Sequence, residues 1–194
     1  MTNAEESEDR SLPKYQLLVN ERDLVFFDCE FTGLRFDHEI VEIGFVKAKA
    51  RTFEIVKERS IKLKAKHIEN ADPTALEIIG YDPEEWEREG VDMKEGLEEF
   101  LRYTKDALIV GHNVSVDLIH LEKAFWDYNL KANYFYKPLD TFSLGWLELR
   151  DNPALTNFSL RELASYFAID RGQAHRGIDD ARTTYQVFLK LIGK

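Results

Sequence analysis

The chain holds one cysteine, Cys29, so no disulfide can form within it and a reducing, intracellular setting is expected. No apolar run approaches the length of a membrane-spanning helix, and the first ten residues, MTNAEESEDR, are acidic and polar rather than secretory. These absences point away from the membrane and toward the cytoplasm, or the nucleus in a cell that has one. Excess positive charge is lacking too. Against 36 Asp and Glu stand 26 Lys and Arg, a formal charge of -10. Tight non-specific binding to long duplex DNA is therefore a poor fit as the main activity.

What is present is an ordinary globular balance: 194 residues, 44% hydrophobic and 32% charged, enough for one domain with its own core. Residues 1–21 read as an N-terminal extension, loosest at its acidic start, and residues 22–194 as a single domain. Charge is distributed unevenly. Lys47, Lys49, Arg51, Lys57, Arg59, Lys62, Lys64 and Lys66 are opposed only by Glu54 and Glu58, whereas residues 82–99 are mostly acidic. The basic run is either a phosphate track, a dimer surface or a solvated edge. The acidic run reads as a surface helix and its approach.

Residues 24–31, LVFFDCEF, are apolar and aromatic enough for a central strand. Residues 39–53 form one long strand or two joined by a turn near Lys49–Ala50, and residues 51–63 supply the next. Helices are expected from Pro73 to Gly80, Met93 to Tyr103, Val114 to Tyr128, Thr141 to Leu149, Leu160 to Phe167 and Gly177 to Ile192. Ser159, with Glu162 three residues on, has the spacing of a capping box. Residues 107–113 and 134–139 are the remaining strands. Early strands followed by alternating helices and strands indicate an α/β domain with a mixed sheet.

Within the most apolar strand sit two carboxylates. Asp28 and Glu30 are two residues apart and leave the same face. Either the strand end reaches solvent there, or the pair holds a divalent cation, for which hard oxygen ligands suit magnesium or manganese. Asp117 lies beside the apolar stripe of its helix. In the last helix, Asp180 falls in line with Thr184, Val187 and Leu191, while Asp179 turns toward Arg182 and Gln186. His175 stands five residues before Asp180 in a glycine-bounded loop. Together these are the parts of a two-metal phosphodiesterase, with a histidine to take a proton from water. Residue spacing alone does not show that they meet.

Three segments resemble the motifs of the DnaQ-like (DEDDh) 3′–5′ exonucleases, members of the ribonuclease H-like superfamily. They are FFDCEFTGL (26–34), GHNVSVDL (111–118) and HRGIDDA (175–181). The resemblance spans roughly residues 22–192. It implies a mixed five-stranded sheet, its second strand antiparallel to the rest, with helices on both faces. It also implies two cations, Mg2+ or Mn2+, held by Asp28, Glu30, Asp117 and Asp180, with His175 as general base. By the same resemblance, Thr32, Gly33 and Leu34 receive the terminal nucleotide, Asn113 supports the substrate pocket, and Asp140 is structural. Phe31 departs from the threonine or methionine of relatives; it either flanks the terminal base or belongs to the core. Val116 replaces a phenylalanine common in relatives and leaves every ligand in place.

The implied activity is stepwise removal of nucleoside 5′-monophosphates from single-stranded or frayed 3′ ends, DNA slightly ahead of RNA. An RNA-trimming enzyme or oligoribonuclease is the alternative within that class. A non-catalytic nucleic-acid-binding subunit is the alternative outside it. The resemblance is compatible with a homodimer and leaves association with a polymerase open. Trp126 and Trp146 read as core or interface anchors, Trp86 has no assigned place, and His38, His67, His112 and His120 carry no expected role.

Overall fold

A computed structural model describes residues 17–172 and 175–194. The expected looseness of the acidic start therefore falls outside the described residues. The first strand, β1 (Leu24–Phe31), is followed by β2 (Ile40–Ala48) and β3 (Ile55–Lys64), which together form an antiparallel meander. Then come α1 (Pro73–Ile79), α2 (Pro83–Glu89), the two-residue β4 (Val91–Asp92), α3 (Met93–Thr104), β5 (Leu108–Gly111) and α4 (Ser115–Asp127). The chain closes with β6 (Phe135–Asp140), α5 (Thr141–Leu149), α6 (Leu160–Tyr166) and α7 (Gly177–Leu191).

The sheet runs β4-β3-β2-β1-β5-β6, and β2 alone is antiparallel to its neighbours. This is the ribonuclease H-like α/β arrangement, with six strands rather than five. The extra strand, β4, pairs through only Val91 and Asp92, too short a stretch to show any alternation in sequence.

Local chemistry explains most boundaries. The Asp72 carboxylate accepts from Thr74 N–H to cap α1, whose first residue is proline, and Gly80 ends the helix in the left-handed region at φ 61°. Asp82 and Pro83 repeat that start at α2. Ser159 caps α6 by accepting from Glu162 N–H. The other half of the expected capping box is not made. Glu162 reaches past Ser159 to the backbone N–H groups of Thr156, Asn157 and Phe158.

Alternation along β1 divides the domain into two layers. Val25, Phe27, Cys29 and Phe31 face one core, with Phe45, Leu97, Phe100, Leu121 and Phe125, under α3 and α4. Leu24 and Phe26 face the other, with Val46, Ala181 and Phe188, under α7. Asp28 and Glu30 continue the second face, so β1 itself aims both carboxylates toward the start of α7.

Trp86 is a core residue. It is 1% exposed, packs with Val41 and Ile79, and donates its indole N–H to the Val41 carbonyl at 2.8 Å. Its charged neighbours concealed this. Trp126 and Trp146, by contrast, are 85% and 51% exposed. The basic run is largely spent on ion pairs: Lys47 and Lys49 with Asp23, Arg51 with Glu21, Arg59 with Glu99, Lys62 with Glu85 and Glu89, and Lys64 with Glu87. Among the described residues no helix is long and apolar enough to cross a membrane.

Candidate active site

At the C-terminal end of β1 a cavity of about 630 Å3 opens between β1, the turn that follows it, α1 and the start of α7. Asp28, Glu30, His175 and Asp180 line its acidic side. Phe31, Gly33, Leu34, Ala75, Ile78 and Ile79 form the apolar side. Leu34 is 79% exposed and Ile78 53%, so both rim the mouth. One wall holds charge and the other can meet a flat apolar group.

Two glycines set the distance between the carboxylates. In the β1–β2 register Asp28 lies opposite Gly44, and Gly177, the first residue of α7, rests on that pair. A Cβ on Gly177 would stand 2.9 Å from the Gly44 nitrogen and 3.1 Å from the Asp28 carbonyl oxygen. A Cβ on Gly44 would collide with the Gly177 and Ile178 backbone. This contact brings Asp180, one turn into α7, over Asp28 and Glu30. Glu30, His175 and Asp180 each offer a ligand atom, all within 4.8 Å of one another.

Asp117 arrives from the other layer. Buried at 6% exposure in the first turn of α4, it accepts from the Cys29 backbone N–H at 2.9 Å. Its carboxylate is thereby fixed to the peptide that joins Asp28 to Cys29. Asp180 accepts from the His175 N–H at 3.0 Å through Oδ2 and from Arg171 Nη2 at 2.7 Å through Oδ1. Asp179 instead bonds Arg182 at 2.9 Å.

Asp28, Glu30 and Asp117, crowded this way, resist ionisation. Burial first, and then Asp117, Glu30, Asp180 and Glu42, push the Asp28 carboxyl well above its ordinary value. Burial, with Asp180, Glu42 and Asp117, lifts Glu30 from 4.5 to about 8, with Arg176 opposing. Burial also lifts Asp117 to about 7 despite its backbone hydrogen bonds. Buried carboxylates that repel one another, on hard oxygen donors with a histidine beside them, suit a divalent cation of the magnesium or manganese kind.

The remaining expected residues divide. Phe31, Gly33 and Leu34 line the cavity, Phe31 while largely buried. The residue is 9% exposed and its ring packs on His120 at 4.5 Å between centroids. Thr32 is turned inward, 2% exposed, with its hydroxyl accepting from Glu39 N–H at 2.9 Å. Asn113 does not line the cavity; it sits at φ 56° before α4, its N–H donated to Asp140, which also caps α5. His112 and Thr141 bond each other at 3.0 Å beside it.

Sequence reasoning missed His38, which is buried, lines the cavity and lies against Gly33, so that a side chain at 33 would strike its ring. It also missed α1 as a cavity wall and Arg171 as a partner of Asp180. No periodic or motif signal marks these three.

Comparison with known proteins agrees with this geometry. Residues 25–188 match the exonuclease family of RNase T type. Among curated relatives, the PolC-type DNA polymerase III of Caldanaerobacter subterraneus subsp. tengcongensis is 30% identical over 179 residues, 90% of this chain and 12% of that protein. The DNA polymerase III subunit epsilon of Aquifex aeolicus is 33% identical over 102 residues, 52% of this chain and 48% of that one. The chain thus spans a small part of the first and about half of the second. Among solved structures, the zinc-bound E. coli exonuclease I complex with single-stranded DNA superposes with a TM-score of 0.75. It is 17% identical, over 89% of this chain and 40% of that one, a likeness of fold. The chain belongs to the DnaQ-like DEDDh family of 3′–5′ exonucleases.

Proposed function

We propose that this domain hydrolyses the last phosphodiester bond of single-stranded or frayed 3′ ends, DNA ahead of RNA, and releases nucleoside 5′-monophosphates. The observation that carries this reading is the convergence of Glu30, Asp180 and His175 within 4.8 Å, at one side of a cavity whose other side is apolar. Asp28, Glu30 and Asp180 would hold two Mg2+ or Mn2+ ions, with Asp117 steadying the set from behind through the Cys29 peptide. Bound there, the ions would neutralise the scissile phosphate and acidify an attacking water.

The chain's own groups do the rest. His175, exposed on the loop before α7 at φ 60°, is placed to accept the water's proton. Leu34 and Ile78 are placed to flank the terminal base, and Gly33 lets the backbone approach the sugar. Such contacts read a free end and a flat base rather than a sequence. The net charge of -10 favours short or single-stranded substrates over long duplexes. Kinship with a PolC-type polymerase and an epsilon subunit supports work on mismatched 3′ ends beside a polymerase. Residues 22–194 would make up the exonuclease domain, compatible with a homodimer.

Competition between equal amounts of 5′-labelled DNA and RNA of one sequence, with chromatography of the released nucleotides, tests this. Faster loss of DNA and 5′-monophosphate product support the reading. Faster loss of RNA, or of oligomers a few nucleotides long alone, would move the enzyme to the RNA-trimming class.

A further inference from the structure

Among the described residues, Arg171 is the only cation in an ion pair with any of the four site carboxylates. Its Nη2 donates to Asp180 Oδ1 at 2.7 Å, and its side chain is 19% exposed beside an aspartate that is 5% exposed. The second oxygen of Asp180 accepts from the His175 N–H. Both oxygens of this carboxylate are therefore held by the loop that leads into α7.

The guanidinium is only partly used. Arg171 Nε is buried without a hydrogen-bond partner among the described residues. Glu30, His175 and Asp180 line the cavity beside this pair, each offering a ligand atom within 4.8 Å of the others. A cation entering that group meets Arg171 at its first carboxylate.

We propose that Arg171 is a resident countercharge. It holds Asp180 in place while no metal is bound, and a divalent cation competes with it for Asp180 Oδ1. The inference rests on the metal-dependent reading above. Its physical basis is charge. Asp28 and Glu30 repel Asp180, and a fixed positive charge on Asp180 relieves that repulsion without metal. The same charge opposes a second cation arriving at the same oxygen. A unit charge at this range changes a neighbouring proton affinity by at least roughly tenfold, and a divalent cation feels it at least as strongly. Arg171 thus trades metal affinity for an ordered metal-free site. It is a positioning residue.

The test is calorimetric titration of MnCl2, with no nucleotide, into the wild-type protein, R171Q and R171K. R171Q is expected to bind Mn2+ roughly tenfold more tightly, while R171K stays within about threefold of wild type. The metal-free R171Q protein is also expected to melt lower than wild type, with a larger upward shift on Mn2+ addition. Unchanged or weaker Mn2+ binding in R171Q, with wild type binding normally, overturns the proposal and leaves the exonuclease reading standing. No Mn2+ binding by wild type overturns both. If R171Q does not fold, the unmodified protein decides the matter. The 15N resonances of the Arg171 guanidinium must move on saturation with MgCl2, and resonances that stay fixed overturn the proposal.

Discussion

Gly44 and Gly177 touch backbone to backbone, and that contact fixes how far Asp180 stands from Asp28. Gly44 pairs with Asp28 across the β1–β2 ladder, and Gly177 opens the helix that carries Asp180 three residues later. A methyl group at 44 has nowhere to go except into the Gly177 peptide. Gly44→Ala is therefore expected to lift the start of α7 from the sheet. Stability should fall by about 1–3 kcal/mol in urea unfolding, and nuclease rate by a larger factor, up to about a hundredfold, because ligands move apart. A variant with lost stability but full activity would separate Gly44 from the site.

The raised carboxylates set a sign for pH dependence. Glu30 moves from an ordinary 4.5 to about 8, and Asp117 from 3.8 to about 7, so the folded protein holds protons that the unfolded chain releases. Their stabilising share is fully present below the unfolded values and is lost as pH rises through the folded ones. The metal-free protein should therefore lose melting temperature between about pH 5 and 8. Saturating Mn2+ should reverse that trend, because the cation takes the protons' place. A metal-free melting curve that rises over this range contradicts the assignment.

Glu162 carries the opposite sign. Four donors meet its carboxylate: the N–H groups of Thr156, Asn157 and Phe158 and the Thr156 hydroxyl, at 2.7–2.9 Å. The hydrogen bonds to Asn157 and Thr156 lead in lowering its pKa from 4.5 to about 2. Its contribution is present above 4.5 and fades as pH falls toward 2. Glu162→Gln should melt below wild type at pH 7, and the two curves should converge near pH 2. A constant gap at all pH values would assign the effect to packing.

The fold was legible where residues carry their own signal. The apolar, β-branched and aromatic run from Leu24 to Phe31 needed no context to read as a central strand, and its period put Asp28 and Glu30 on one face. The stripe of α7 likewise separated Asp180 from Asp179. What stayed hidden depends on contacts between distant segments. Trp86 lies among acids, yet only the fold shows Val41 and Ile79 closing over it. His38 enters the cavity wall because Gly33 leaves room for its ring, and Arg171 meets Asp180 across nine residues of sequence with no motif to mark the pair. Thr32 is expected from the resemblance to receive the terminal nucleotide; its hydroxyl accepts from the Glu39 N–H, a contact that no motif shows. A motif gives order along the chain; direction of a side chain at a turn does not follow from it.

Trp86 offers a test of the fold apart from the chemistry. Trp86→Ala should cost about 3–5 kcal/mol, the range for a fully buried large side chain. Trp86→Phe keeps most of the volume but leaves the Val41 carbonyl without its donor, at about 1–3 kcal/mol. Denaturant unfolding reads both. Equal stability of all three proteins would place the indole at the surface.

In the proposed reaction Asp28 and His175 serve one metal-dependent hydrolysis at a 3′ end. The most direct measurement is a time course on 5′-labelled single-stranded DNA and RNA, with Mg2+, Mn2+ or a chelator, for wild type, Asp28→Ala and His175→Ala. A ladder that shortens from the 3′ end is expected only when a divalent cation is present. Losses of at least about a hundredfold are expected in each variant. Absence of cleavage of either polymer and of short oligomers by the wild-type protein, or cleavage that survives in Asp28→Ala, would contradict the proposed reaction.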